Sequence, residues 1–198
     1  MQAKDKILQA ADRLFGENGF DAASLSKIAA ASKINKALIH YHFKNKEGLF
    51  ASVLDRYFEK LTDTLQSALL GEGTLPDRIS KLIDNYIDFL EKNRNFIHII
   101  QREINGGKQQ DRVIRHMVPL FQMIAKAGRE AYPATRSGDL AAEHMLISCY
   151  GMIITYFTCH GIMEKLLGGD PMSGENLRAR KKHIQRLMDM VSEHINKT

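Results

Sequence analysis

The chain has 198 residues and a formal charge of +5. That is enough to bury a core in one long domain or two small ones, and the basic balance favours an anionic partner. Only two cysteines occur, Cys149 and Cys159. Ten residues apart on one helix they point in different directions, so no disulfide framework is expected, in keeping with a reducing cytoplasm. The charged start (Lys4, Asp5, Lys6) holds no apolar run of signal-peptide type. No Walker loop, G-x-S-x-G or Cys-x-x-Cys run occurs, and no glutamate stands three residues before a histidine. An enzyme, a cofactor and a resident metal are therefore not expected.

Apolar residues recur at three- and four-residue spacing almost throughout, which predicts an all-α chain of nine helices. Helix one covers about 3–18, with Ile7, Leu8, Ala11, Leu14 and Phe15 on one face and Gly19 as its stop. Ser24 caps helix two, Asn35 caps helix three, which ends near Phe43, and Asn45 caps a long helix four running past Leu65. Gly71, Gly73 and Pro76 then break the chain ahead of helix five. Helix six runs from about Asn95 to Ile104 and helix seven over roughly 110–130, where Pro119 predicts a kink or a break. Helix eight covers about 139–163 and helix nine about 175–196.

Helix eight contains no Asp, Glu, Lys or Arg between His144 and Met163. That length can cross a bilayer, but its serine, threonines, tyrosines and histidines are too polar for an easy span. The reading is a helix buried on most sides, one face being covered by a second subunit. His144, Cys149, Cys159 and His160 share this helix, yet their angular spread argues against one metal site unless a partner subunit completes it.

The most informative stretch is Ser24 to Lys46. It carries five lysines, two histidines and no acidic residue on a capped helix pair, a pattern suited to a DNA major groove and its phosphate walls. On helix three, Ile39 and Phe43 face the core with Ile34, whereas Ala37, Leu38 and Tyr41 lie nearly opposite, able to meet base edges and thymine methyls. Lys36, His40 and His42 flank them, within reach of phosphates. Lys46, at the start of helix four, combines a cation with a helix N-terminus and reads as a phosphate anchor. Ser26 and Lys27 of helix two complete the expected DNA face.

This stretch resembles the helix–turn–helix of the TetR family of bacterial transcriptional regulators. The matching residues are Ser24, Ile28 and Ala29, then Ile34 and Asn35 at the turn. The L-I-H-Y-H-F run from Leu38 to Phe43 and K-N-K-E-G-L-F from Lys44 to Phe50 follow. Helix one adds A-x-x-L-F from Ala11 to Phe15 and the Gly19–Phe20 pair. Two positions depart from the family pattern: Lys33 stands where glycine is usual, so it is strained or the turn differs, and His40 stands where tyrosine often touches a phosphate.

The resemblance implies an N-terminal three-helix helix–turn–helix domain over 1–62 and a ligand-binding and dimerisation domain over 63–198. It further implies a homodimer formed through helices eight and nine, a palindromic double-stranded operator, and a small-molecule effector that releases it, helix four being the natural lever. Gly151 would allow close helix approach at the dimer, or serves local packing. The large side chains Tyr86, Phe89, Phe96, Ile100, Met117, Phe121, Met152 and Tyr156 are candidates to line the cavity, with His98, Arg102 and Glu103 to orient a ligand. Control by a protein partner or a metal in place of an organic ligand is the alternative.

Overall fold

The computed structural model describes residues 2–195. Among them are ten α-helices and one short 3-10 turn: α1 (Ala3–Ala22), α2 (Leu25–Ser32), α3 (Lys36–Phe43), α4 (Lys46–Leu69), α5 (Leu75–Lys92), α6 (Arg94–Ile104), α7 (Gln110–Ala131), the turn Pro133–Arg136, α8 (Ala142–Thr158), α9 (His160–Leu167) and α10 (Gly174–Ile195). The all-α expectation holds, with one helix more than the nine read from the sequence.

The extra helix comes from the uncharged stretch. It breaks at Cys159 (φ −98°, ψ 39°), and α8 and α9 meet there at 83°. The Thr158 hydroxyl donates to the Ile154 carbonyl at 3.0 Å, a back-bond that loosens the last turn of a helix. No single helix among the described residues is long and apolar enough to cross a membrane. At Pro119 the expected break is absent; α7 runs through it, with the proline ring on an exposed face.

The chain forms two compact units. One comprises residues 1–60 with 93–116, the other 61–92 with 117–198. By compactness, α6 and the start of α7, which lie within the expected 63–198, go with the first unit. Its centre is the aromatic triad Phe15, Phe20 and Phe50, with edge-on contacts at 5.0 and 5.1 Å between ring centres. Ile7, Ile28, Ile39 and Leu49 surround it without solvent exposure.

Helix α6 joins this unit because α1 lets it approach closely. A Cβ at Gly16 would lie 2.9 Å from the Asn95 side chain, and one at Gly19 would lie 2.7 Å from Arg102. Gly19 also takes φ +80°, where the regular geometry of α1 ends as expected, although helical bonding resumes as far as Ala22. The close approach is fastened by hydrogen bonds. Asn95 Nδ2 donates to Asp12 Oδ2 at 3.1 Å, the Tyr57 hydroxyl donates to Asp12 Oδ1 at 2.5 Å, and Arg102 Nη1 donates to the Phe15 carbonyl at 3.4 Å. Burial, and then the Asp12 bond, holds the Tyr57 phenol protonated well above its ordinary range.

The second unit is built from amphipathic α5, the later part of α7, and α8 to α10. Ile83, Ile87 and Leu90 of α5, Ile153 of α8, and Leu177 and Ile184 of α10 are buried. Lys181 Nζ donates to Asp88 Oδ1 at 2.5 Å, tying α10 to α5. The Tyr156 hydroxyl donates to the Pro171 carbonyl at 2.6 Å, and Arg180 Nη2 to the Met152 carbonyl at 2.6 Å. Thr74 and Asp77 form a reciprocal cap on α5, with the Thr74 N–H reaching Asp77 Oδ2 at 2.9 Å.

Candidate nucleic-acid interface

The starts of α2 and α3 are both capped by the residues that the sequence suggested. Ser24 Oγ accepts from the Lys27 amide at 3.2 Å, and Asn35 Oδ1 accepts from the Leu38 amide at 2.7 Å. Lys33 adopts the left-handed conformation (φ 58°, ψ 31°), so of the two readings the strained lysine is the observed one. Its amide bonds the Ala30 carbonyl at 3.3 Å while the Ile34 amide bonds Ala29 at 3.1 Å, a Schellman closure of α2. Two local bonds and the half-buried Ile34 therefore hold a lysine where glycine would sit without cost.

Helix α3 is seated by Ile39 and Phe43, both buried. Lys36, Ala37, His40, Tyr41 and His42 point outward, Tyr41 with 80% exposure, and Leu38 is half-buried. Tyr41 and His42 rings meet edge-on at 5.2 Å. Ser26 and Lys27 of α2 are also exposed. Among the described residues Lys27 Nζ meets the Ala22 carbonyl at 3.4 Å. Asp21, just before this acid-free stretch, is paired with Lys108 at 2.8 Å. The outward face thus carries cations around a small, partly apolar strip.

The α3–α4 junction holds a feature that sequence reading missed. Lys44 sits at φ 66°, ψ −58°, and the Asn45 amide bonds the Phe43 carbonyl at 2.8 Å, so Phe43–Asn45 is a γ-turn of the strained, positive-φ kind. His40 supports it, its Nδ1 lying 2.8 Å from the Lys44 carbonyl. A carbonyl only accepts, so Nδ1 carries a hydrogen. Asn45 Oδ1 then accepts from the Gly48 amide at 2.7 Å, the expected cap of α4. A Cβ at Gly48 would lie 2.2 Å from the Phe43 carbonyl oxygen. The only trace of this in the sequence is a glycine in the first turn of a helix.

Lys46 stands differently from its expected role as a phosphate anchor. It is half-buried, its Nζ 4.3 Å from the centre of the Phe20 ring and donating to the Phe20 carbonyl at 3.0 Å. The ammonium is thereby spent on the end of α1, fastening it to the start of α4.

The eleven residues expected to line a cavity are not gathered in one place. Phe96, His98, Ile100, Arg102 and Glu103 belong to the first unit. There Phe96 and Ile100 are core, Arg102 clasps α1, and His98 is exposed. Glu103 is buried and accepts from the Gln109 amide at 2.9 Å, closing the α6–α7 turn. Tyr86, Phe89, Met117, Phe121, Met152 and Tyr156 belong to the second unit. Phe89, Met117 and Tyr156 are buried there, and Phe121 meets Tyr150 ring to ring at 5.1 Å. The second unit does contain a cavity of about 120 Å³, but other residues line it: Leu69 of α4, Ile79 and Ile83 of α5, Ile124 and Gly128 of α7, Met145 and Cys149 of α8, and Met188 and Ser192 of α10 among them. Neighbouring turns of five helix ends converge on it, a spacing that no local sequence signal marks. Among the described residues no group of three or more His, Cys, Asp or Glu side chains is placed to hold a metal ion.

Comparison with known proteins fits this geometry. Residues 7–53 match the family model described as bacterial regulatory proteins, tetR family. The HTH-type transcriptional repressor Rv3405c of Mycobacterium tuberculosis is 49% identical over 172 residues, 87% of this chain and 81% of that protein. The probable HTH-type transcriptional regulator YttP of Bacillus subtilis is 28% identical over 106 residues, 52% of this chain and only 51% of its own length. A transcriptional regulator of Aquifex aeolicus superposes with a TM-score of 0.75 at 16% identity, covering 96% of this chain and 99% of that one. The fatty acid degradation regulator FadR of Bacillus halodurans gives a TM-score of 0.75 at 17% identity over 94% of each chain, a likeness of fold.

Proposed function

Since the chain belongs to the TetR family of bacterial transcriptional regulators, we propose that it is a homodimeric repressor released from a palindromic operator by a small molecule held in its second unit. The observation that carries the DNA-reading part is the outward face of α3. It has exposed Ala37 and Tyr41 at its centre, Lys36 beside them, Lys27 on α2, and no acid between Ser24 and Lys46. In this reading Ala37, Leu38 and Tyr41 meet base edges, and Lys27, Lys36 and His42 meet phosphates, with the exposed Ser26 hydroxyl able to add a hydrogen bond.

His40 has a narrower role. Its Nδ1–H is committed to the Lys44 carbonyl, which leaves Nε2 for the DNA. In the neutral ring Nε2 is an acceptor and repels a phosphate oxygen; only the imidazolium donates there. His40 therefore adds a phosphate contact when protonated and steadies the γ-turn in either state. Lys46 acts indirectly, by holding α1 against the start of α4.

Dimerisation is supported by apolar surface on the second unit. Ile147 of α8 is 60% exposed, Ile162 and Leu166 of α9 are 64% and 75% exposed, and α9 has no buried residue. A partner copy laid on α8 to α10 would cover them. Two α3 helices about 34–36 Å apart then meet successive major grooves. Ligand control is supported by the apolar cavity. A ligand shifts the population away from the DNA-bound form only by its differential affinity for the two forms. A filled second unit would have favoured control by a protein partner; an unfilled one favours a ligand.

Genomic fragments retained by the purified protein and then sequenced test the whole reading. The expected result is a family of sites with two-fold symmetry, bound by a species of twice the chain mass. Retention of sequences without a shared symmetric core, or a monomer at micromolar concentration, would overturn it.

A further inference from the structure

The second unit's cavity has a definite chemistry. Its walls are aliphatic side chains of α5, α7 and α8 with Met145 and Met188. Among its described lining residues there is no lysine, arginine or histidine, and the one charged residue, Asp189, is exposed. An anionic ligand buried there has no counter-charge and faces a carboxylate; a cationic one loses its hydration against hydrocarbon. The Cys149 thiol is held up to about 11 by burial, so it meets a ligand as a neutral, apolar group.

Ser80 and Gln185 also line the cavity, both half-buried; the polar groups that hydrogen bonds hold in place there are Thr135, Tyr132 and Ser192. The Thr135 hydroxyl is spent on the Tyr132 carbonyl at 2.8 Å. The Tyr132 and Ser192 hydroxyls lie 2.9 Å apart and share one hydrogen bond. Whichever of them donates, the other keeps an O–H, and both oxygens keep lone pairs. The volume, about 120 Å³, is close to that of an apolar cavity of roughly 150 Å³ that admits benzene, and this one is partly open to solvent at its rim.

We infer that this cavity takes a small neutral molecule about the size of one aromatic ring, carrying a single hydroxyl that hydrogen-bonds the Tyr132–Ser192 pair. The inference deepens the ligand-control reading and rests on it for any regulatory consequence. It excludes carboxylates and long charged conjugates as occupants of the buried space. It also places the ligand at the ends of α5, α7, α8 and α10 and away from Tyr86, Phe121 and Met152.

Titration calorimetry of the full chain with phenol, toluene and benzoate tests it, without DNA. Phenol is expected to bind one site per chain about tenfold more tightly than toluene, the worth of one added hydrogen bond, with benzoate silent. The double variant Tyr132→Phe/Ser192→Ala, which removes both hydroxyls, should bring phenol down to the level of toluene. Leu146→Trp, which fills the cavity, should abolish both; if that variant fails to fold, the double variant decides. Benzoate binding as well as phenol, phenol binding indifferent to loss of both hydroxyls, or no binding of phenol or toluene at millimolar concentration overturns the inference. A gel shift with operator separates the two readings. Phenol that binds but leaves DNA bound ends ligand control through this cavity and leaves its chemistry standing. A charged effector that releases DNA from a protein deaf to phenol does the reverse.

Discussion

The two units are held together by different means. In the first, direction matters: glycines admit α6 against α1, Asp12 receives Tyr57 and Asn95, Lys46 clasps the end of α1, and three consecutive side-chain caps set α2, α3 and α4. In the second, amphipathic helices share a greasy seam, leave a cavity unfilled and keep isoleucines in water. Under the proposed function, a head that presents side chains to fixed phosphates tolerates little slack, and a body that responds to a ligand and a partner needs it. Core mutations should therefore be costly in the first unit and cheap around the cavity of the second.

The largest effect belongs to Phe15→Ala. The ring is fully buried between Phe20 and Phe50, and its loss is expected to cost about 3–5 kcal/mol in urea unfolding. Met188→Ala, beside an existing void, should cost less than half as much. Equal costs would erase the contrast between the units. Next comes Gly48→Ala. Its Cβ would meet the Phe43 carbonyl oxygen at 2.2 Å, a backbone atom that cannot swing aside, so the γ-turn has to open. Overpacking of this kind costs about 1–3 kcal/mol. Operator affinity should fall by more than stability does, because α3 is displaced relative to α4. Gel shifts beside thermal melts separate the two.

Lys36 and Lys46 sharpen the comparison from inside the first unit. Lys36 is exposed and reads as a phosphate contact; Lys36→Ala should weaken binding to every duplex and lower the salt slope by about one. Lys46→Met should weaken binding too, but with the slope unchanged and the melting temperature lowered, since its cation rests on Phe20. A slope lowered by Lys46→Met would return that residue to the phosphates. His40 gives a smaller effect. His40→Ala removes the Nδ1–H bond to the Lys44 carbonyl, so the γ-turn should loosen and operator affinity fall with only a small drop in melting temperature. An unchanged affinity would leave His40 without a part in the α3–α4 junction.

The same contrast explains what was legible in the sequence. Helices, caps and the outward strip of α3 depend on neighbours three or four residues away, and Ser24, Asn35 and Asn45 announce them directly. The break at Cys159 was hidden because a run of apolar residues fits one long helix as well as two bent ones. The role of Lys46 was hidden because its partners lie 25 and 26 residues earlier in the chain. The cavity was hidden for a related reason. A void is a property of how several helix ends pack, and large residues such as Phe96 or Tyr156 are more often its absence than its wall.

The smallest effect concerns Lys33. Its left-handed backbone is held by the Schellman bonds of Ala29 and Ala30, and its side chain is exposed. Lys33→Gly should relieve about 1 kcal/mol of backbone strain, less the entropy that glycine adds to the unfolded chain. The net gain is a few tenths of a kcal/mol, measurable as a slightly higher unfolding midpoint. Affinity should move the other way, because a cation beside the α2–α3 turn is lost and long-range attraction to DNA weakens with it. The lysine thus gives up a little stability for charge. If Lys33→Gly both stabilises the protein and leaves its affinity at low salt untouched, the strain at this turn has no electrostatic return and only the Schellman closure accounts for it.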